Sequence, residues 1–440
     1  MLLEFRAKNY KSFKDELVFS MTPAPKQTDL NYSILKEKIG LIEYRGLSSA
    51  VVYGPNASGK TNIIGAMETL KDIILRGNIR NSESVTSPNA ASHFLELIPC
   101  CLTQLNEPIE FAIKFIENGL AFNYSISFDI GGFLVNNYAR KILAESLTVN
   151  GKMIFSRDKT INFGDFGLIK DYLIDESEKN REGIQSIVNN SLNDEELFLL
   201  NGFKVILSSK LVSIITEWFE KKFVVIYRAD SHKSIQKYSE KKKENELYIR
   251  TLNEAAKAFG INSNAISYIV PKDASEANLY SLFEIGSKKM AVPAEYFESY
   301  GTMRFVYEFP LVISALLNGE TLVIDEFDAS IHPMALMSII NMFHNDDINK
   351  KNAQLIFNTH NPIFLNASLF RRDEIKFVER DDETHLSTHY SLSDFGTSGK
   401  NGVRKGEDYM NNYFVSRYGA IKDIDFSPLF ENISENGAEI

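Results

Sequence analysis

Apolar residues along this chain follow two rhythms, and the change from one to the other outlines the architecture. Over residues 1–20, Leu, Phe and Val alternate with polar positions, the period-2 pattern of half-buried strands, with a turn at Asn9-Tyr10-Lys11-Ser12. Residues 21–46 are mostly polar and read as a loop. Residues 48–53, Ser-Ser-Ala-Val-Val-Tyr, make a short apolar run of the kind found in fully buried strands. From 62 to 75 the apolar positions Ile63, Ile64, Met67, Leu70, Ile74 and Leu75 take helical spacing. Residues 77–93, rich in Asn and Ser, read as irregular. Alternation returns over 109–116 and 122–128, on either side of Glu117-Asn118-Gly119-Leu120, a hairpin-turn sequence. Val149-Asn150-Gly151-Lys152 marks a second hairpin.

Beyond about residue 170 the pattern is mostly helical until 285, with mixed 3–4 spacing over 192–207 and 211–219 and a highly charged stretch over 238–259. These runs are too short and irregular for an extended coiled coil and predict a compact helical insertion. Strands resume at 321–324 and 354–357, each after a helical stretch, which is the βαβ rhythm of a parallel sheet. The expected organisation is therefore α/β. It comprises an N-terminal lobe over 1–140, a strand and helical arm over 141–285, a C-terminal lobe over 286–425 and an acidic tail over 426–440.

Composition narrows the class without naming a function. The chain has 440 residues, 44% hydrophobic and 12% aromatic, which is an ordinary globular balance. Its net charge of −10 argues against a generally basic nucleic-acid coat, although lysines cluster at Lys221-Lys222 and Lys241-Lys242-Lys243. The two cysteines, Cys100 and Cys101, are neighbours and poorly placed for a structural disulfide. No signal-peptide pattern opens the chain and no run of about 18 apolar residues occurs, so a cytoplasmic protein with no membrane partner is expected.

Candidate chemistry changes the picture most. Gly54-Pro55-Asn56-Ala57-Ser58-Gly59-Lys60-Thr61 meets every position of the phosphate-loop pattern, between a predicted strand and a predicted helix. Glycines let successive N–H groups face phosphate oxygens, and the following helix adds its positive end. ATP and Mg²⁺ are the expected cofactors. Gly54, Asn56, Ala57, Ser58, Gly59, Lys60, Thr61 and Asn62 would surround the phosphates, Lys60 would reach the β/γ-phosphates and Thr61 would ligate the metal. The apolar run 321–324 ends in Asp325-Glu326, the form of a Walker B segment. Asp325 would hold Mg²⁺ and Glu326 would act on the attacking water as general base. Ser330 is a candidate helix cap just beyond.

Asp325 lies 264 residues beyond Thr61, and a Ser-x-Gly segment precedes it by about two dozen residues. That layout resembles the ABC-type ATPases of the SMC and RecF class, and implies a two-lobed P-loop NTPase head with a mixed sheet and an inserted helical arm. The resemblance assigns Ser299 and Gly301, within Glu298-Ser299-Tyr300-Gly301-Thr302, to the signature that binds γ-phosphate held by a partner subunit. A helix start is suited to that, since its N–H groups are unpaired and its dipole favours an anion. Asp328, in Phe327-Asp328-Ala329-Ser330, resembles the loop that crosses the dimer interface, and His360, in Asn358-Thr359-His360-Asn361, resembles the switch histidine on the γ-phosphate. Lys11, in Asn9-Tyr10-Lys11-Ser12-Phe13, matches the basic residue that touches nucleotide in some relatives. Gln104 is the only glutamine near the place of a Q-loop.

More narrowly, these segments and the late Tyr413-Phe414-Val415-Ser416-Arg417 are similar to AAA-type ATPases of bacterial phage-defence operons, the RloA/AbiL type and the ATPase subunit of the PARIS system. The resemblance implies an ATP-hydrolysing subunit of an anti-phage complex. It would act as a nucleotide-gated scaffold or sensor that forms a head-to-head dimer or larger homo-oligomer and responds to a phage protein as trigger. A separately encoded Toprim-type nuclease would be its effector. About 80 residues follow His360, without the acidic constellation of a nuclease site, so the nuclease would act in trans. The competing expectation is a RecF-like repair ATPase that binds DNA directly.

Overall fold

A computed structural model describes residues 1–25, 27, 30–80, 95–100, 107–132, 138–174, 180–227, 242–261, 263–269, 278–329, 331–397, 402–404 and 406–428. Gln104, Cys101, Ser330 and most of the acidic tail lie outside them. Two large sheets organise the chain, and they are built by opposite means.

The first is a seven-stranded antiparallel sheet. In spatial order it runs Ile161–Phe163, Lys152–Arg157, Lys141–Val149, Leu120–Asp129, Ile109–Glu117, Leu2–Lys8 and Leu17–Ser20. Most neighbours in space are neighbours in sequence, because tight turns join them. Asn118 and Gly119 both have positive φ (49° and 70°), as do Asn150 and Gly151 (48° and 78°), the backbone that a two-residue I′ hairpin turn requires. Alternation buries Ile109, Phe111, Ile113 and Phe115 on one face, against Leu120, Phe122, Tyr124 and Ile126 of the next strand.

The second is a six-stranded mixed sheet. Its order is Phe223–Ile226, Thr321–Ile324, Gln354–Asn358, Ser49–Tyr53, Ile375–Arg380 and Ser387–Ser391, parallel except for the last pair. Strands Ser49–Tyr53, Thr321–Ile324 and Gln354–Asn358 are buried at every position, as expected for strands covered on both faces. The helices Lys60–Arg76, Tyr300–Asn318 and Pro333–His344 follow the βαβ rhythm. The molecule is an α/β fold of P-loop NTPase type, with the phosphate-loop strand inside a mostly parallel sheet.

Three sequence readings differ from this structure. Residues 21–46 are not all loop: Ile34–Ile39 and Ile42–Leu47 pair as a two-stranded ribbon. Its polar positions face solvent and few of its residues are buried, so the apolar signal is faint. The lobe boundary at 140 falls inside the antiparallel sheet, because Lys141–Val149 pairs with Leu120–Asp129. The mostly helical stretch to 285 also contains strands. Phe223–Ile226 forms one edge of the mixed sheet, and Ala265–Ile269 and Asn278–Ile285 join Lys288–Pro293 in a three-stranded sheet. A four-residue edge strand after a helix is too short to show a period of its own.

Candidate functional site

The phosphate loop leaves the C-terminal end of Ser49–Tyr53, and helix Lys60–Arg76 begins at its last turn. Gly54 has φ 158°, and a Cβ there would lie 2.3 Å from the Val378 carbonyl oxygen. Gly59 has φ 111°, and a Cβ there would lie 2.8 Å from the hydroxyls of both Ser12 and Ser387. Both glycines are therefore required by conformation and by crowding. Ser12 and Ser387 hold the loop from two ends of the chain. The Ser387 hydroxyl donates to the Ser58 carbonyl at 2.6 Å and lies 2.7 Å from Ser12 Oγ, which accepts from Asn62 Nδ2 at 2.9 Å. The sequence reading missed Ser387 altogether and passed over Ser12 in favour of its neighbour Lys11.

Lys60 is buried, and its ammonium donates to the carbonyls of Gly54 and Pro55 at 2.7 and 3.0 Å. Burial pushes its pKa down to about 8, partly offset by the charges of Glu326, Asp325 and Asp328. A buried ammonium served only by neutral carbonyls is an arrangement that an anionic phosphate completes. Ser58 Oγ is also buried and makes no hydrogen bond among the described residues. Asn56 and Ala57 are exposed at the loop tip, where Ala57 has φ 62°.

The acid pair arrives from 264 residues away. Asp325 is buried at the end of Thr321–Ile324, and Thr61 Oγ1 donates to its Oδ1 at 3.1 Å. These two oxygens are the donor set that a hard divalent cation favours, so the residues fit Mg²⁺. Glu326 follows with φ 51°, a left-handed backbone uncommon for a side chain of its size. Its N–H donates to Asn358 Oδ1, and its carbonyl accepts from Arg304 Nη2 at 2.6 Å. Arg304 lies in helix Tyr300–Asn318, where its Nε bonds Glu308 Oε1 at 2.9 Å. Neither Asn358 nor Arg304 stood out in the sequence, since each acts through backbone or carboxylate groups far along the chain.

Asp328 accepts from the Thr359 hydroxyl at 2.6 Å, yet burial holds its pKa above the usual aspartate range. His360 sits exposed just beyond Gln354–Asn358. Desolvation, and then the charge of Lys60, hold its pKa below the ordinary histidine value. Both causes favour the uncharged imidazole, a hydrogen-bonding group more than a cation.

Ser299 caps helix Tyr300–Asn318, its Oγ accepting from the Thr302 N–H at 3.1 Å. Ser299 and Tyr300 are exposed and Gly301 occupies the first turn. Lys11 takes a different place from Ser12: its ammonium bonds the Glu96 carboxylate and the Tyr227 hydroxyl. Burial works against its charge, but Tyr10, Glu96 and Tyr227 outweigh that and keep its pKa above the usual lysine range. The structure thus brings Lys60, Thr61, Asp325, Glu326 and Asp328 together, and turns Lys11 to an internal ion pair.

Among the described residues no group of three or more His, Cys, Asp or Glu side chains could hold a metal, and no helix is long and apolar enough to cross a membrane. A family model described as AAA domain, putative AbiEii toxin, Type IV TA system matches residues 49–366. Among solved structures, the SMC head domain from Thermotoga maritima is similar, with a TM-score of 0.36 and 12% identity, covering 89% of this chain and 98% of that one. Comparison with curated proteins gives no match.

Proposed function

The chain belongs to the family of AAA domains described as putative AbiEii toxin, Type IV TA system, and we propose that it is an ATPase head that closes on a second copy of itself around ATP. Closing and opening would hold or release a separately encoded effector, a Toprim-type nuclease, within a cytoplasmic anti-phage complex triggered by a phage protein. One observation carries the ATPase reading. Lys60, Thr61, Asp325 and Glu326 meet at the C-terminal ends of the two parallel strands that flank Gln354–Asn358, with Thr61 and Asp325 already 3.1 Å apart. Ligands of open parallel sheets bind at that edge.

Each side chain has a part in this reading. Gly54 to Asn62 cradle the phosphates, with Lys60 balancing their charge. Thr61 and Asp325 hold Mg²⁺, which when bound neutralises charge on the transferring phosphoryl group. Glu326 accepts the proton of the attacking water. His360 donates a hydrogen bond toward the terminal phosphate. Ser299 and Gly301 face outward for the partner's nucleotide, and Asp328 lies where the two heads would meet. Exposed apolar side chains beside these segments support a mating surface: Tyr300 (63% exposed), Met334 (65%) and Ile363 (42%). The defence role and the nuclease rest on the motif resemblance given above.

Glu326→Gln tests the reading. It removes the base and leaves Thr61 and Asp325 in place, so steady-state hydrolysis should fall by about 10²–10⁴-fold. ATP binding should persist, and the variant should accumulate as an ATP-bound dimer in light scattering. Unchanged turnover would sink the assignment of the base. Native mass spectrometry of the complex from its host tests the partner. Masses beyond multiples of 49.9 kDa reveal an effector, whereas multiples alone, with turnover stimulated by DNA, favour a head that acts on DNA directly.

A further inference from the structure

Asn358 is wholly buried as the last residue of strand Gln354–Asn358. That strand lies between the one that ends in the phosphate loop and the one that ends in the acid pair. The Asn358 amide faces the acids with both of its branches. Its Nδ2 donates to Asp325 Oδ1 and its Oδ1 accepts the Glu326 N–H, each at 2.5 Å. The orientation is forced, because a backbone N–H can only donate and an ionised carboxylate can only accept. Asp325 Oδ1 is the oxygen that also accepts from Thr61. One amide therefore fixes the carboxylate meant for the metal and the peptide that aims the general base.

Other residue types at 358 could not do this. An aspartate supplies no donor when ionised, a serine offers one short branch, and a glutamine adds a methylene in a fully buried place. Glu326 also needs such a hold. Its left-handed backbone costs on the order of 1 kcal/mol and persists only where its surroundings over-determine it. Asn358 grips its N–H, and Arg304 grips its carbonyl from the helix that Ser299 caps.

We propose that Asn358 is a positioning residue for ATP hydrolysis, holding Asp325 in the geometry that receives Mg²⁺ and Glu326 in the geometry that receives the water proton. This deepens the proposed ATPase function and rests on it. Groups that orient metal-binding carboxylates in this way are worth roughly 10–100-fold in metal affinity or activity when removed.

The experiment uses the full chain with Asn358→Ala and, near the original volume, Asn358→Leu. A fluorescent ATP analogue is titrated in EDTA, and again at fixed nucleotide with increasing MgCl₂, beside steady-state kinetics. Expected are unchanged nucleotide affinity in EDTA and a Mg²⁺ midpoint raised by roughly 10-fold in the binding titration. Turnover should fall by roughly 10–100-fold with the KM for ATP little changed. A lowered melting temperature with a normal Mg²⁺ midpoint and normal turnover would make Asn358 merely structural and overturn the proposal. Lost affinity in EDTA would also overturn it, by placing the effect on the phosphate loop. If the wild-type protein itself fails to hydrolyse ATP, the proposed function falls, and the Mg²⁺ midpoint of binding still decides the role of Asn358.

Discussion

The two large sheets of this molecule divide its labour. In the antiparallel sheet, strands such as Ile109–Glu117 and Leu120–Asp129 meet through a two-residue turn, so pairing is local and the sequence writes it out. In the mixed sheet, Thr321–Ile324, Gln354–Asn358 and Ser49–Tyr53 lie side by side although hundreds of residues separate the first two from the third. All the candidate acids and bases of the site sit on the second kind. Local pairing can be secured by turns and alternation. A site that must assemble phosphate cradle, metal ligand and base needs chain ends brought together from afar, and a parallel sheet aligns its C-terminal ends on one edge.

The sharpest way to break this contrast is to remove a polar network buried in the antiparallel sheet. Glu145 is fully buried and accepts from the N–H groups of Phe198 and Leu199 at 2.7 and 2.9 Å and from the Tyr124 hydroxyl at 3.0 Å. Arg157 lies 3.7 Å away, bonding the carbonyls of Glu196 and Asn193. Glu145→Ala strands a buried arginine and two backbone donors. It should destabilise by about 3–5 kcal/mol in urea unfolding, while turnover per folded molecule stays near wild type. Lost turnover in the folded fraction would show that the antiparallel sheet shapes the site after all.

A smaller effect probes the mixed-sheet side. With its pKa at about 8 in the free protein, Lys60 is charged below that pH, and a bound phosphate favours the charged form and raises the pKa. ATP binding should therefore take up part of a proton between pH 8 and 9. Affinity should be flat below about pH 7 and fall by up to about 10-fold per unit above 8, or roughly 1.4 kcal/mol. Calorimetry in buffers of different ionisation enthalpy measures the uptake. Lys60→Met should abolish it, and an equal uptake in that variant would assign the proton elsewhere.

The smallest change sharpens the claim that turns set the antiparallel sheet. Gly119 has φ 70° and open space where a Cβ would go, so Gly119→Ala meets no clash and pays only the left-handed backbone. Thermal unfolding should show a loss of about 1 kcal/mol with the Mg²⁺ response unaltered. A change well above that would mean the turn carries packing that the structure does not show.

Legibility followed the same division. The Asn-Gly turns, the phosphate loop and the apolar strand before Asp325 each depend on a few adjacent residues, so they were readable. The ribbon at 34–47 and the edge strand Phe223–Ile226 were not, since one is half exposed and the other too short to carry a period. In the candidate site, Lys60, Thr61, Asp325 and Glu326 were legible by type and spacing. Lys11 matched a pattern, but the structure pairs it with Glu96 and puts the hydroxyl of Ser12 against the loop instead.

What the sequence determined by itself is the chemistry on offer: glycines where φ must be positive, a lysine and threonine after them, and two acids closing an apolar strand. Those choices depend on covalent neighbours and backbone sterics, which act over a few residues. The tertiary structure alone decided who holds whom. Asn358 between the acids, Arg304 on the carbonyl of Glu326, and Ser387 on the phosphate loop are partners chosen by strand order. Hydrogen bonds reach only about 3 Å, so a residue becomes a partner when the fold has closed that gap, and nothing in its local sequence announces it.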